Sequence, residues 1–325
     1  MAATFRSALG VAMQRCLALR QSLGYADRSV TSLLAHFDRH LVSIGHADSS
    51  LTREIVESWI AGDGTLKPHS RAARRHAVRV LGRHLALTDP EAYVPPLIPG
   101  LRQTSSFRPH IYTPNEIQAL LVEAGRLPPV GSLRPRTFVT LIGLLACTGV
   151  RIAEALALRL ADVDLDDGLI TIRDGKFHKS RVVPLQPNVT CILAAYADAR
   201  REHRHRVDPD AALFVNEWRR PCGYPRVVAT FLEIARRVGI RAAPGQRGPR
   251  LHDLRHTFAV NRLLAWYRDG GDVQARLPLL STYMGHICLV STQVYLDMTA
   301  ELLLEAARRF QAPRLMCDPT EGGCR

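Results

Sequence analysis

Apolar residues recur at helical spacing through the first 87 residues of the chain. From Val30 to Leu41, for example, they return every three or four residues, as on one face of an amphipathic helix. Thr52 supplies a helix-start residue before a further apolar cluster, and Pro68 opens the last helical stretch. The pattern predicts about four helices and no strand, which we assign to a first domain at residues 1–90.

A proline-rich segment interrupts this pattern. Six prolines lie between residues 89 and 114, together with a Thr-Ser-Ser run. Because proline cannot continue a helix, this composition favours an extended connector. We therefore predict a linker at residues 91–110, a second domain at residues 111–311 and a C-terminal tail at residues 312–325.

The second domain combines helices with a short β-rich region. Thr113 and Pro114 mark a helix start, and the run from Arg136 to Cys147 is apolar enough for a buried helix. Short apolar segments separated by turn glycines predict a small antiparallel sheet: residues 163–165, 169–172 and 182–185. Helical patterning then returns over residues 189–206, 224–238, 253–267, 277–284, 289–296 and 300–310. The predicted fold class is mainly α with a small antiparallel β-sheet, in two domains.

The charge balance indicates a polyanionic partner. Lys and Arg number 43 against 30 Asp and Glu, which gives a net charge of +13 and a pI near 10.0. Such a charge opposes folding through self-repulsion, and its usual use is to attract nucleic acid. A membrane-surface protein would concentrate its cations on one amphipathic helix, whereas arginines occur along this whole chain. We therefore expect double-stranded DNA, and no membrane, as the partner.

The stretch from Pro68 to Leu87 is the strongest local candidate for DNA contact. It carries five arginines and no acidic residue. A helix face that is merely solvated usually mixes in Glu or Asp, so we favour contact with the DNA backbone over that alternative. The candidate DNA-binding residues here are Arg71, Arg74, Arg75, Arg79 and Arg83.

Cysteine usage and hydropathy bear on the compartment. The seven cysteines are odd in number and include no Cys-x-x-Cys pair, so neither a disulfide framework nor a thiolate zinc site is indicated. The best apolar run, Phe138 to Val150, is shorter than the roughly 18 residues that span a bilayer. We expect reduced thiols, no metal site and a cytoplasmic protein.

Six residues supply the groups that suit an attack by tyrosine on a phosphodiester: two guanidiniums, an ammonium, two imidazoles and a phenol. Their settings are Thr-Gly-Val-Arg-Ile-Ala-Glu at 148–154, Gly-Lys at 175–176, His-Asp-Leu-Arg-His at 252–256, and Met-Gly-His at 284–286 with a tyrosine nine positions after the histidine. In this order and context they resemble the tyrosine recombinases, the family of phage integrases and Xer-type resolvases. The candidate catalytic residues are Arg151, Lys176, His252, Arg255, His286 and Tyr295.

The resemblance implies a reaction and a role for each residue. Tyr295 would be the nucleophile, leaving a 3′-phosphotyrosine and a free 5′-hydroxyl, so that rejoining needs no metal, ATP or other cofactor. Arg151 and Arg255 match the family arginines that bind the non-bridging phosphate oxygens. His252 and His286 match the histidines that donate hydrogen bonds to the same phosphate and assist proton movement.

The lysine segment and the neighbouring acid complete the candidate site. Lys176 matches the family's general acid for the 5′-oxygen, in a loop between two strands, and Lys179 competes for that role. Glu154 is a candidate to orient Arg151 or the neighbouring lysine, with an ordinary helix pair as the alternative. Lys179 and Arg181 are further candidate DNA contacts. His256, one helical turn after the first catalytic histidine, is interpreted as structural.

The resemblance further implies two protomers per DNA site and four per synapse, with possible accessory or partner recombinases. The 34 positions from His252 to His286 exceed the spacing expected of Xer-like members, which points to a recombinase of a mobile element, acting in integration or excision. The alternative is an architectural or regulatory DNA-binding subunit with little activity of its own. That alternative is weakened because all six catalytic positions are filled.

Overall fold

The computed structural model describes residues 5–25, 28–62, 64–97, 109–173, 180–246, 248–286, 290–297 and 299–311. The chain divides into two compact units, Met1–Phe107 and Arg108–Arg325, and this division falls inside the segment predicted as a linker. Helices predominate in the described ranges beside one small sheet, which confirms the predicted fold class. Within those ranges, no helix combines the length and the apolar character needed to cross a membrane.

The first unit is helical, as its apolar pattern predicts. Its helices are α1 (Gly10–Ser22), α2 (Arg28–Ser43), α3 (Arg53–Ala61) and α4 (Pro68–Leu85). Helix α4 packs against each of the other three. The buried rings of Phe37 and Trp59 lie in the core with their centroids 4.9 Å apart. Each fully buried phenylalanine or leucine stabilises the fold by about 2 kcal/mol relative to an exposed one, so this unit has its own core.

The chain after α4 packs back onto the same unit. The N–H of Tyr93 donates to the carbonyl of Leu51 at 2.8 Å, and its hydroxyl donates to the carboxylate of Glu57 at 2.8 Å. Ala92 beside it is buried. Residues 91–97, which composition assigns to the linker, therefore pack on the helical unit.

The second unit contains the sheet and the remaining elements. Its first helices are α5 (Pro114–Ala124), α6 (Arg134–Thr148) and α7 (Ile152–Ala157), and its strands are β1 (Val163–Asp164), β2 (Leu169–Ile172) and β3 (Arg181–Pro184). The later helices are α8 (Pro187–Glu202), α9 (Tyr224–Arg237), α10 (Asp253–Arg268), α11 (Val273–Met284), α12 (Val290–Gln293) and α13 (Ala300–Gln311), with a 3₁₀ turn at Val294–Asp297 before α13.

The sheet has the order β1-β2-β3 and is antiparallel throughout, as predicted. Ile170 of β2 lies opposite Val183 of β3, and both side chains are fully buried. Strand β3 begins at Arg181, one residue before its predicted start, and pairs that residue with Ile172. This register makes Arg181 the first residue of the strand.

Local capping explains where several helices begin. Thr113 and Glu116 form a reciprocal capping box at the start of α5. Helix α11 begins at Val273, earlier than its apolar pattern suggests, because the carboxylate of Asp272 accepts a hydrogen bond from the N–H of Ala275. The single helix predicted at 289–296 is instead divided between α12 and the 3₁₀ turn. These last elements carry the candidate nucleophile.

Candidate active site

The turn between α6 and α7 positions Arg151. Helix α6 ends at Gly149, whose φ of +63° lies in the left-handed region that favours glycine. A Cβ at this position would lie 2.5 Å from the ring of Phe258, so glycine also permits the close approach of α10. Arg151 follows as the N-terminal cap of α7, and its Nη2 donates to the carbonyl of Gly285 at 2.8 Å. The turn thus brings Arg151 to the end of α11.

Glu154 is a largely buried carboxylate, with 9% of its side chain exposed, and each of its two oxygens accepts two hydrogen bonds. Its Oε1 accepts from Arg151 Nη1 at 2.8 Å and from Arg181 Nη1 at 3.2 Å. Its Oε2 accepts from the main-chain N–H of Arg151 at 2.9 Å and from Arg181 Nη2 at 2.8 Å. Burial alone would raise the pKa of this carboxyl, but the hydrogen bonds from both arginines outweigh burial and hold the pKa at about 2. Glu154 is therefore ionised, and it binds both the main-chain N–H and the guanidinium of Arg151.

Three guanidiniums converge on the last carbonyls of α11, which we call the carbonyl end of α11. Arg181 Nε binds the carbonyl of Tyr283, Arg255 Nη2 that of Met284 and Arg151 Nη2 that of Gly285, at 2.8, 2.7 and 2.8 Å. The last carbonyls of a helix lack partners within the helix and lie at the negative end of its dipole. Cationic donors therefore satisfy this helix end.

Arg255 is almost completely buried on α10. Besides Met284, it binds the carbonyl of Gly149 through Nη1 at 2.6 Å. Burial, together with the nearby charge of Arg151, lowers the pKa of Arg255 to about 10, so the guanidinium stays charged at neutral pH. Its hydrogen-bonding partners here are two carbonyls and the phenol of Tyr295, none of which carries the full negative charge of a carboxylate. Much of its positive charge therefore remains available to attract an anion.

Arg151 keeps donors for a substrate. A guanidinium has five N–H groups. Within the described part of the chain, side-chain N–H groups of Arg151 bind Glu154, Met284 and Gly285, which uses three of them. The two remaining N–H groups of Arg151 suffice for a bidentate contact with the oxygens of a phosphate.

His286 follows the carbonyl end of α11 directly. Its Nδ1 lies 2.7 Å from the hydroxyl of Thr292, a side chain with no exposed surface. This contact fixes the ring and leaves Nε2 for another partner. Burial and the charges of Arg255 and Arg151 lower the pKa of His286 to about 4, so the imidazole is neutral at pH 7.

Tyr295, in the 3₁₀ turn, is buried against the same group of side chains. Its ring stacks on that of His286 with a centroid distance of 6.0 Å. Burial raises the pKa of its phenol, while Arg255 and Arg151 oppose this shift. The two arginines therefore act on the phenol in the direction that a nucleophile requires.

The two histidines of the His-Asp-Leu-Arg-His motif contact each other, and the second also contacts Tyr295. The His252 and His256 rings meet edge to face at 5.0 Å, and the His256 ring is 5.6 Å from that of Tyr295. Partial burial and Arg255 lower the pKa of His252. Burial and His252 lower that of His256 to about 4. His256, interpreted from sequence as structural, thus contacts the candidate nucleophile.

The structure brings together Arg151, Glu154, His252, Arg255, His286 and Tyr295. The candidate general acids Lys176 and Lys179 lie outside the described residues. Sequence reasoning did not single out Thr292. Its position among polar residues between His286 and the tyrosine carries no pattern that reveals its contact with the imidazole.

The arginines of α4 differ in their surroundings. Arg71 and Arg83 are exposed. Arg75 forms a bidentate pair with the carboxylate of Glu57, at 2.9 and 2.8 Å. Arg74 donates to the carbonyl of Trp59 and stacks over the indole, and Arg79 donates to the carbonyl of Pro95. Three of the five arginines therefore have partners within the protein.

Known proteins match this chain over most of its length. The model of the phage integrase family matches residues 111–301. A Sinorhizobium fredii protein described as integrase/recombinase y4rB is 36% identical over 313 residues, covering 95% of this chain and 97% of its own. Tyrosine recombinase XerD of Bifidobacterium longum is 30% identical over 276 residues, covering 80% of this chain and 82% of its own.

Solved structures share the fold at lower identity. The Tn1549 transposon integrase in complex with transposon right end DNA matches with a TM-score of 0.65 at 14% identity, over 93% of this chain and 98% of that one. The XerH site-specific recombinase bound to its palindromic difH substrate matches with a TM-score of 0.63 at 23% identity, over 87% of this chain and 79% of that one. Since the family model covers more than half of the chain and the sequence relatives span most of it, this protein belongs to the phage integrase family of tyrosine recombinases.

Proposed function

We propose that this protein is a site-specific DNA recombinase that breaks and rejoins DNA strands through a 3′-phosphotyrosine at Tyr295. One observation carries the proposal: a buried tyrosine lies beside two guanidiniums that are held by one helix end. Membership of the tyrosine recombinase family supports it. The alternative of an architectural subunit is not favoured, because a subunit that only binds DNA does not need a buried tyrosine beside two guanidiniums.

In the first step, the scissile phosphate binds between Arg151 and Arg255. The phenol oxygen of Tyr295 then attacks phosphorus, so that an O–P bond forms and the bond from phosphorus to the 5′-oxygen breaks. Negative charge grows on the non-bridging oxygens, where the two fixed guanidiniums stabilise it. By comparison with arginines in other phosphoryl transfers, loss of either one is expected to slow cleavage on the order of a thousandfold or more.

Two protons move in this step. The phenol proton passes from Tyr295 to the acceptor nitrogen of His252 or His286, and a second proton passes to the departing 5′-oxygen from Lys176, with Lys179 as the alternative donor. His252 and His286 are neutral imidazoles in the free protein, so each carries one N–H donor and one acceptor nitrogen. His286 holds its Nδ1 on Thr292, which leaves Nε2 to meet the phosphate.

The remaining assignments are part of the same proposal. The phosphotyrosine conserves the energy of the broken bond, and the arginines supply the positive charge, so we expect strand exchange without metal or ATP. We further propose that two protomers act at each DNA site and four in a synapse, and that the role is integration or excision of a mobile element in the bacterial cytoplasm. The helix α13 packs on α10 of its own unit in the free protein.

Covalent trapping tests the proposal. Wild type and Tyr295→Phe are incubated with nicked duplexes taken from the DNA that flanks the gene, in EDTA and without nucleotide, and adducts are separated on a denaturing gel. We expect an adduct with wild type and with Tyr224→Phe, an exposed tyrosine of the same unit, but none with Tyr295→Phe. An adduct that persists in Tyr295→Phe would overturn the assignment of the nucleophile, and one that requires metal would overturn metal independence.

A further inference from the structure

We propose that Arg181 is a positioning residue that fixes Arg151 through Glu154, rather than a contact to DNA phosphate. This inference rests on the proposed function, since it assigns Arg181 a part in the same cleavage step. It also revises the expectation from sequence, in which Arg181 was a candidate DNA contact.

The hydrogen bonds of Arg181 point into the protein. Its Nη1 and Nη2 form a fork on the carboxylate of Glu154, at 3.2 and 2.8 Å, and its Nε donates to the carbonyl of Tyr283 at 2.8 Å. All three guanidinium nitrogens therefore have an intramolecular acceptor. The side chain is only 11% exposed. Little of this guanidinium is left on the surface for a DNA backbone.

The fork explains how Glu154 can hold Arg151 in one place. A carboxylate accepts about four hydrogen bonds, and Arg151 and Arg181 supply two each. Without Arg181, the buried carboxylate would keep only its bonds to Arg151 and would lose half of its support. Since breaking one side of a buried pair leaves an uncompensated charge, Glu154 is then expected to shift towards solvent or take up a proton.

The hydrogen bond from Arg181 to the carbonyl of Tyr283 also fixes the end of α11, which leads to His286. Arg181 lies on β3, Glu154 on α7 and Tyr283 in the last turn of α11. Arg181 therefore ties three elements together at the point where α11 gives way to His286. Removing the Arg181 guanidinium is therefore expected to move Arg151 and the carbonyl end of α11 together.

Two measurements separate this role from phosphate contact. The first is the salt dependence of binding to a duplex from the gene's flanks, between about 50 and 200 mM salt, where each lost phosphate contact lowers the slope by about 0.9. The second is the single-turnover rate at which the covalent DNA adduct forms on Tyr295. For Arg181→Met we expect an unchanged slope and a cleavage rate reduced on the order of a hundredfold, as for a misplacement of about 1 Å.

Further variants keep the test decisive. Arg181→Lys retains the charge but not the fork, so we expect it to cleave slowly too. In the double variant of Arg181→Met with Glu154→Gln, the loss should not exceed that of the worse single change, because both act on Arg151. Arg237→Met removes a surface arginine that also binds carboxylates, at 2.6 Å from Glu233, and should cleave normally. Melting temperatures confirm that each variant is folded.

The outcomes are distinct. A salt slope reduced by about one unit in Arg181→Met, or a cleavage rate equal to wild type, overturns the proposal. Additive losses in the double variant overturn the route through Glu154. If wild type binds the duplex yet forms no adduct, the proposed function fails, while the salt slope still decides whether Arg181 contacts phosphate.

Discussion

Replacing Gly285 by alanine perturbs the site where two guanidiniums approach the backbone. Gly285 ends α11 with φ +67°, a left-handed conformation that costs other residues about 1–2 kcal/mol. Its Cβ would lie 2.7 Å from Arg181 Nη1, 2.9 Å from Arg181 Cζ and 3.3 Å from Arg151 Nη1. The nearest atom must retreat by about 0.7 Å to reach ordinary van der Waals contact at 3.4 Å.

This displacement is large on the scale of catalysis. A shift of about 1 Å in a positioned group can cost on the order of a hundredfold in rate. Because Arg181 and Arg151 share Glu154, moving one guanidinium disturbs the other. For Gly285→Ala we therefore expect a loss of about 1–2 kcal/mol in the free energy of unfolding and a single-turnover cleavage rate reduced on the order of a hundredfold.

Gly239 provides the matched control. It also has a positive φ, +76°, and follows the end of α9, but a Cβ there meets no atom within 4 Å. Gly239→Ala should thus lose similar stability in urea unfolding and keep its cleavage rate. The reasoning is refuted if Gly285→Ala forms the phosphotyrosine adduct as fast as Gly239→Ala.

Other predictions follow from the same contacts. Thr292→Val should slow cleavage and cost about 1 kcal/mol of stability, because it removes the hydroxyl partner of His286, and Thr292→Ser should restore the rate; equal rates for both variants would contradict this. Folding holds the pKa of His286 at about 4, below its usual 6.5, so the unfolded chain binds more protons between these values and stability should fall as pH drops through that window. His286→Gln should reduce this pH dependence in urea titrations at several pH values and leave the part that comes from His256; an unchanged pH dependence would contradict the assignment to His286. On α4, Arg83→Ala should lower the salt slope of DNA binding by about one unit, whereas Arg75→Ala, which breaks the pair with Glu57, should lower the melting temperature and leave the slope unchanged.

The local sequence largely determined the secondary-structure elements and the order of the candidate catalytic residues along the chain. Apolar spacing and caps such as Thr113 act over a few residues, so the helices of the first unit and the three strands were predictable. The motifs from Arg151 to Tyr295 identified the family, because each group stands in a short and specific context. Element boundaries were less certain, as at α11, where a cap moved the start of the helix.

Only the tertiary structure decided what holds each functional side chain. Arg151 and Gly285 are 134 positions apart in sequence, and Arg181 and Tyr283 are 102 apart. No local periodicity encodes such pairs, since they depend on how α7, β3 and α11 pack. Charge alone indicated Arg75 and Arg181 as candidate DNA contacts, and only the folded chain shows that each forms a bidentate pair with a carboxylate. The sequence determined which groups are present, and packing determined which of them face one another.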